Sequence, residues 1–262
     1  MRGRTARAAW IAAGGAAALT LLSSTVAHAE GRGDVRVTKT VVNNGNNVII
    51  GTTARVTYPI AITIRDNSGV KGLTDVSVFN KTNGWGFSDW VDTRCTKTSS
   101  TTSVCTASMT IAPAWLPGSV PEDVNRTAGV WQVNATVKAN DGDYWISDHI
   151  AEFKMKRASK LTTDAAPEPV AKGAQLTITG KLSRANWEDL KYHGYARQDV
   201  KLQYRKSGAA HYSTVKTVKT GDTGQLSTKV TATSAGSWRW YFPGTTTTAR
   251  VVSVGDAVAL KQ

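Results

Sequence analysis

The stretches Val200-Lys201-Leu202-Gln203-Tyr204-Arg205 and Trp238-Arg239-Trp240-Tyr241-Phe242 alternate large apolar side chains with more polar ones. A period of two is typical of a strand with one buried and one solvated face, and it does not fit a helix, whose period is 3.6 residues. We therefore predict two β-strands here. The apolar members of each stretch should point into a core, and the residues between them should point outward.

The rest of the chain shows the same alternation of apolar and polar residues, interrupted by turns. Val56–Ile64 alternates over a long segment, Leu176–Thr179 alternates over a shorter one, and Gly221–Gly224 marks a turn. Short strands separated by frequent turns are typical of an immunoglobulin-like β-sandwich. The chain has 262 residues, which is enough for two such cores. We predict an all-β protein with two tandem immunoglobulin-like β-sandwich domains, residues 30–156 and 157–262.

The first 29 residues read as a secretory signal peptide. Three arginines lie within the first seven residues, an apolar run covers Ile11–Leu22, and Ala27-His28-Ala29 places small residues where a signal peptidase cleaves. The run is shorter than the ~20 apolar residues that a membrane helix needs. We expect residues 1–29 to be removed, so that the mature chain begins at Glu30, is secreted to the extracellular side and has no membrane span.

The chain has two cysteines, Cys95 and Cys105. In an oxidising compartment an isolated pair usually forms a disulfide, so we predict a Cys95–Cys105 bridge in the first sandwich. Two thiols without further ligands nearby are a weak zinc site. We therefore assign no metal site to the cysteines, and the sequence indicates no cofactor.

Residues 156–262 contain a series of short segments that resemble a domain common in secreted immunoglobulin-like proteins of streptomycetes and related actinobacteria. The segments are Arg157–Thr162, Pro167–Val170, Lys172-Gly173, Thr179–Leu182, Arg184–Trp187, Val200–Gln203, Trp238-Arg239 and Phe242–Gly244. The resemblance implies a secreted, immunoglobulin-like protein. It carries no catalytic residues to this chain.

The positive charge is concentrated in the second half. Residues 158–262 contain 15 basic and 7 acidic residues, against 14 and 12 in residues 30–157. If the apolar members of the alternating strands point inward, several basic side chains project outward and could bind a polyanion. This candidate polyanion face consists of Lys201, Arg205, Lys216, Lys219 and Arg239. Anionic cell-wall polymer or polysaccharide is the partner that it favours, and nothing in the sequence indicates a specific nucleic acid. The alternative is a solvated surface that keeps monomers apart.

Four tryptophans lie in Gly-, Pro- or Asn-rich segments and could stack on sugar rings. They are Trp85, Trp90, Trp115 and Trp187. This set predicts a carbohydrate-binding module as the second functional hypothesis. The alternative is that the loop around Trp85 folds its aromatic rings back over the edge of the sandwich, near the predicted disulfide.

Catalytic signatures are weak. After residue 29 the histidines are His149, His193 and His211, and no Gly-x-Ser-x-Gly motif is present. The paired carboxylates Asp89/Asp92, Asp141/Asp143 and Glu188/Asp189 lie in loop-like sequence, where acidic residues are common in turns. We expect no enzymatic activity, and an extracellular enzyme of an unrecognised class is the remaining alternative.

The segment Asn140-Asp141-Gly142-Asp143, with Asp148 beyond it, offers oxygen ligands for calcium, but the spacing of an EF-hand is absent. An ordinary hairpin turn explains the same residues, so calcium binding stays open here. The sequence as a whole favours a secreted, non-enzymatic binding or structural module that is extracellular or associated with the cell wall.

Overall fold

The computed structural model describes residues 29–88, 90–116 and 121–261, and of residues 90–92 and 121–123 only the backbone. These residues form twenty β-strands and three short 3-10 helices, Asn43–Gly45, Pro113–Trp115 and Pro121–Thr127. None of the helices within these ranges is long and apolar enough to cross a bilayer. Apart from Ala29, the predicted signal peptide lies outside the described residues, and its cleavage stays a prediction.

The first ten strands form two sheets that face each other. One sheet has the order β1-β10-β9-β5-β6, with β3 paired in parallel to β10, and the other has the order β2-β4-β8-β7. The strands are β1 (Ala29–Arg32), β2 (Arg36–Val42), β3 (Val48–Ile50), β4 (Val56–Arg65), β5 (Val70–Asn80), β6 (Gly86–Phe87), β7 (Trp90–Lys97), β8 (Thr102–Ile111), β9 (Gly129–Ala139) and β10 (Tyr144–Arg157).

Strands β4 and β8 show how the alternating sequence builds the first core. Every second residue of β4 from Tyr58 to Ile64 is buried, and the residues between them face solvent at least partly. In β8 the same pattern runs through Met109, and Ile62 lies opposite Cys105 in the ladder. Trp131 of β9 is fully buried in the same cluster. The core follows from the two-residue period because each sheet presents one apolar face to the other.

The disulfide is confirmed. Cys95 of β7 and Cys105 of β8 lie directly opposite each other in the antiparallel ladder, and their sulfur atoms are bonded. The bridge therefore fastens an outer strand, β7, to its neighbour β8.

The remaining ten strands also form two facing sheets. One has the order β11-β13-β12, with β14 and β17 also on β13, and the other has the order β16-β15-β18-β19, with β20 on β18. The strands are β11 (Ser159–Leu161), β12 (Asp164–Ala166), β13 (Gln175–Asn186), β14 (Lys191–Gly194), β15 (Asp199–Lys206), β16 (Ser213–Lys219), β17 (Gln225–Thr231), β18 (Gly236–Phe242), β19 (Val251–Val252) and β20 (Asp256–Val258).

The two stretches that predicted the fold become β15 and β18, and they pair with each other. Leu202 lies opposite Trp240, and both side chains are fully buried. The indole Nε1 of Trp240 donates a hydrogen bond to the carbonyl oxygen of Thr179 on the facing sheet (2.9 Å). The all-β class and the tandem immunoglobulin-like sandwiches are confirmed, while the limits 30–156 and 157–262 stay a prediction.

Trp187 joins the two sandwiches, and the prediction that its ring is available to stack on a sugar is wrong. It sits in the turn between β13 and β14, yet its side chain is only 3% exposed and belongs to the core cluster of the first sandwich. Its Nε1 donates to the carbonyl oxygen of Gly51 (3.0 Å), and its backbone N–H donates to Oδ1 of Asn125 (3.0 Å). The sequence around Trp187 is polar and does not indicate this burial, because the residues that cover the ring are distant in sequence.

Arg157, the last residue of β10, is the second feature of this junction. The residue is 7% exposed, and its Nε donates to the carbonyl oxygen of Ala185 (2.6 Å). Its backbone bonds to Thr247 and Ala249 of the second sandwich (2.9 Å each). Desolvation and the neighbouring Arg184 lower the pKa of Arg157 to about 10, so the side chain is still a cation at neutral pH. The hydrogen bonds of the Arg157 side chain and backbone fix the path of the chain from one sandwich to the next.

We expect Trp187→Ala to lower the free energy of unfolding by about 3–5 kcal/mol, because it removes a large buried ring from the junction. Guanidinium denaturation followed by circular dichroism measures this loss. Trp115→Ala is the matched control, since the Trp115 side chain is 44% exposed, and it should cost about 1 kcal/mol or less. Equal losses in the two variants would contradict the burial of Trp187.

Removing the bridge with Cys95→Ser and Cys105→Ser together should lower the free energy of unfolding by about 2–3 kcal/mol. The bridge closes a ring with a sequence separation of 10 residues, and the chain-entropy model assigns about this value to a ring of that size. The same denaturation experiment measures it, with intact mass confirming the bridge in the unsubstituted chain. An unchanged midpoint would show that the bridge does not stabilise β7.

Candidate polyanion-binding face

Strands β15 and β18 place three basic residues on the outer face of one sheet. Val200 and Leu202 point inward, so Lys201, Gln203 and Arg205 point outward. Opposite Gln203 in the ladder lies Arg239 of β18, again between two buried residues. The outer positions are free to carry charge because the inner positions alone build the core.

The guanidinium of Arg239 is held from two sides. Its Nε donates to Oε1 of Gln203 (2.8 Å), and its Cζ lies 3.8 Å from the centroid of the Tyr212 ring. Arg205 contacts the same ring, with Cζ 4.9 Å from the centroid. Stacking on one aromatic ring brings two like charges close together and limits their rotamers. We call Lys201, Arg205 and Arg239 the arginine face.

Within the described part of the chain, the arginine face has no internal counter-ion. Among the described residues, no Asp or Glu oxygen lies within 4.0 Å of the charged nitrogens of Lys201, Arg205 or Arg239. Nε of Arg239 is occupied by Gln203, which leaves its terminal nitrogens for a ligand. A planar guanidinium with free donors binds phosphate and carboxylate groups through paired hydrogen bonds.

A cleft of about 500 Å³ borders the face beside Arg205. Its wall includes Ser207, Gly208 and Ser237. Ser237 lies opposite Arg205 in the β15–β18 ladder. Hydroxyl groups next to a guanidinium extend the set of donors along the sheet.

Two predicted members of the candidate polyanion face, Lys216 and Lys219, differ from the other three because their Nζ atoms already have partners in the protein. Lys219 lies on the outer face, but its Nζ forms an ion pair with Asp199 (3.1 Å). Lys216 lies opposite the buried Leu202, and its Nζ donates to the carbonyl oxygen of Lys229 on β17 (2.9 Å). The prediction that Lys216 shares a face with the others is therefore wrong, because residues three apart on a regular strand, 216 and 219, point to opposite sides.

The predicted tryptophan set does not form one platform. Trp187 is buried at the junction. The Trp85 ring is half-buried and meets the buried Trp131 ring edge to face at 5.7 Å, as in the alternative in which this loop folds back. Trp115 is exposed, with the Arg55 guanidinium 4.9 Å from its ring centroid. The side chain of Trp90 lies outside the described part of the chain.

Two of the described histidines lie beside an exposed carboxylate that is close in sequence. His193 Nε2 lies 2.6 Å from Asp189, and His149 Nε2 lies 3.6 Å from Glu152. Among the hydrogen bonds of the described residues, none joins a histidine ring to a hydroxyl or thiol group. The described histidines thus lack the nucleophile–base contact that covalent catalysis uses.

Of the paired carboxylates, Asp89 and the side chain of Asp92 lie outside the described residues.

Gln203 and Tyr212 were not predicted to belong to the face. Gln203 stands at an outward position of the alternating strand, so its contact with the opposite strand could have been inferred from the pairing of β15 and β18. Tyr212 lies just before β16, and no local pattern indicates that its ring returns over two arginines of the sheet.

No protein-family model matches the chain, and no curated protein matches it. Solved structures that resemble it include the D00-D0 domain of intimin, at 13% identity, with 84% of this chain and 100% of that chain covered and a TM-score of 0.27. A chimeric titin Z1Z2 has 13% identity, coverage of 90% and 99%, and a TM-score of 0.26. The three N-terminal domains of the bacteriophage RB49 outer capsid protein Hoc have 11% identity, coverage of 89% and 71%, and a TM-score of 0.30. All three scores are low, so the fold rests on the strand pairing and the two cores.

We expect Tyr212→Ala to lower the free energy of unfolding by about 1–2 kcal/mol, because two cation–π contacts at a partly exposed site are lost. Tyr212→Phe keeps the ring and should stay within about 0.5 kcal/mol of the original chain. Urea denaturation of both variants measures the difference. If Phe and Ala cost the same, the ring face does not hold the two arginines.

Proposed function

We propose that this protein is a secreted, non-enzymatic binding module that attaches to anionic polymer of the cell wall through the arginine face. The observation that carries the proposal is the geometry of Arg205 and Arg239. Two guanidinium groups of the β15–β18 sheet stack on the ring of Tyr212, with no carboxylate within 4.0 Å of either group among the described residues.

The chemistry of the face favours a repeating anion. Lys201 lies two residues from Gln203 on the same side of β15, and Arg239 lies opposite Gln203. Equivalent positions along one strand are about 6.6 Å apart. Polymers with phosphate or carboxylate groups in each repeat can meet several such donors at once. Binding through many weak contacts has a high total affinity and strong dependence on salt.

An extracellular location is supported by the disulfide between Cys95 and Cys105 and by the predicted signal peptide. The sequence resemblance to secreted actinobacterial proteins supports the same location. A module held at a wall by charge needs no active site, in keeping with the exposed, separately placed histidines of the described chain.

The test is sedimentation with purified cell walls that carry phosphate-rich teichoic acid, at low and high sodium chloride. We expect binding at low salt and release at high salt. Arg205→Gln with Arg239→Gln should weaken binding by about five- to thirtyfold, or about 1–2 kcal/mol.

The control is Lys172→Gln with Lys181→Gln, which removes the same charge from exposed positions outside the arginine face. This variant should bind within about twofold of the original chain. Equal weakening in both double variants would mean that net charge alone attracts the polymer. Binding that survives high salt and both double variants would contradict the proposal.

A further inference from the structure

Three aspartates from three separate loops meet at one end of the first sandwich. Asp34 lies between β1 and β2, Asp66 directly follows β4, and Asp143 directly precedes β10. One carboxylate oxygen from each lies within 4.8 Å of the others. Two oxygens that bind one cation at about 2.4 Å cannot be farther apart than this distance.

The Asp66 carboxylate is the central member of this aspartate cluster. The residue is only 1% exposed. Its Oδ1 accepts hydrogen bonds from the backbone N–H (2.7 Å) and the hydroxyl (2.6 Å) of Ser68. Its Oδ2 is buried and has no hydrogen-bond partner among the described residues. A buried carboxylate with one unpaired oxygen is costly unless a positive charge compensates it.

No side chain that the structure describes supplies that positive charge at contact distance. Among the described residues, no Lys, Arg or His nitrogen lies within 4.0 Å of the three carboxylates. Arg36 and Arg65 line the adjacent cavity with Asp34 and Asp66. The Arg36 guanidinium, however, donates to the carbonyl oxygens of Gly33 (3.0 Å) and Val35 (2.6 Å).

The loops hold the cluster in place through their own hydrogen bonds. Oδ2 of Asp143 accepts from the backbone N–H of Asp34 (2.9 Å). Gly33 lies so close to the Asp143 carboxylate that a Cβ at this position would be 1.5 Å from Oδ2. The backbone N–H of Asp141 donates to the Ser68 hydroxyl (3.2 Å), which ties the β9–β10 turn to the β4–β5 turn. The oxygens are therefore positioned by the fold.

We propose that Asp34, Asp66 and Asp143 bind a calcium ion. Carboxylate oxygens are ligands for hard cations such as Ca²⁺, Mg²⁺ and Mn²⁺. Calcium accepts irregular shells completed by water, whereas Mg²⁺ requires a near-ideal octahedron, and ligands from three independent loops fit the former. The cavity of about 490 Å³ beside Asp34 and Asp66 gives an ion and its waters access. The ion would link the β1–β2, β4–β5 and β9–β10 connections at one point.

The test is calcium titration of the full chain by isothermal calorimetry and by thermal melting. We expect one site with a dissociation constant of about 0.1–1 mM, as in extracellular calcium modules. At saturating calcium the melting temperature should rise by about 3–8 °C. The same concentration of magnesium should raise it by less than half as much.

Asp66→Asn should lose the calcium-dependent rise, with at least tenfold weaker binding. Its melting temperature without calcium should equal or exceed that of the original chain, because one of three like charges is removed. Asp75→Asn, an exposed aspartate on β5 of the same sandwich, is the matched control and should respond as the original chain does. Asp143→Asn gives a second, independent variant if Asp66→Asn does not fold.

Terbium luminescence provides a readout that does not depend on stability. Tyr144 is adjacent to Asp143, so bound Tb³⁺ should be sensitised by excitation of aromatic residues and displaced by calcium. The proposal is overturned if calcium gives neither binding heat nor a melting shift at about 10 mM. It is equally overturned if magnesium matches calcium, or if Asp66→Asn and Asp143→Asn both respond to calcium as Asp75→Asn does.

Discussion

Burial of every second side chain along paired strands is the constraint on which this structure depends. Ile60, Ile62 and Ile64 in the first sandwich and Leu202 with Trp240 in the second are fully removed from water. At roughly 25 cal/mol per Å² of apolar surface, these layers supply the main favourable term for each core. The constraint also leaves every other position outside, where charge costs little. The arginine face exists because β15 and β18 satisfy their cores with one half of their residues.

Strand β10 spans the first sandwich and connects it to the second. It has 14 residues, or roughly 45 Å of extended chain. Asp143 directly precedes its first residue, and Arg157 is its last. The aspartate cluster and the junction therefore lie at opposite ends of the first sandwich. At the junction, Trp187 enters the first core while Arg157 bonds to the second sandwich, so the contact is reciprocal.

The sequence was informative wherever the signal was local. The period of two identified β15 and β18 and the inward direction of Leu202 and Trp240, and the single cysteine pair identified the disulfide. Lys216 was misplaced although its spacing from Lys219 already put the two on opposite sides of a strand. That error came from counting charges before assigning faces.

Contacts between residues that are far apart in sequence could not be predicted from sequence patterns. Trp187 lies in a polar segment that is typical of an exposed turn. Its indole donates to the carbonyl oxygen of Gly51, which is 136 positions away in the sequence. The three aspartates of the cluster come from loops separated by 32 and 77 positions, and only the folded sheets bring them together. The sequence pattern at Asp143 suggested calcium ligands within the same turn, but there Asp141 accepts a backbone hydrogen bond instead.

Hydroxyl-radical footprinting of the tryptophans, read by mass spectrometry, tests the burial pattern most directly. Each ring reports its own exposure to solvent in the intact protein, so both cores and the junction are measured at once. The structure predicts strong oxidation of Trp115 and protection of Trp131, Trp187 and Trp240, which are 0%, 3% and 0% exposed. Oxidation of Trp187 or Trp240 at the rate of Trp115 would contradict the account, since the junction or the second core would then be open to water.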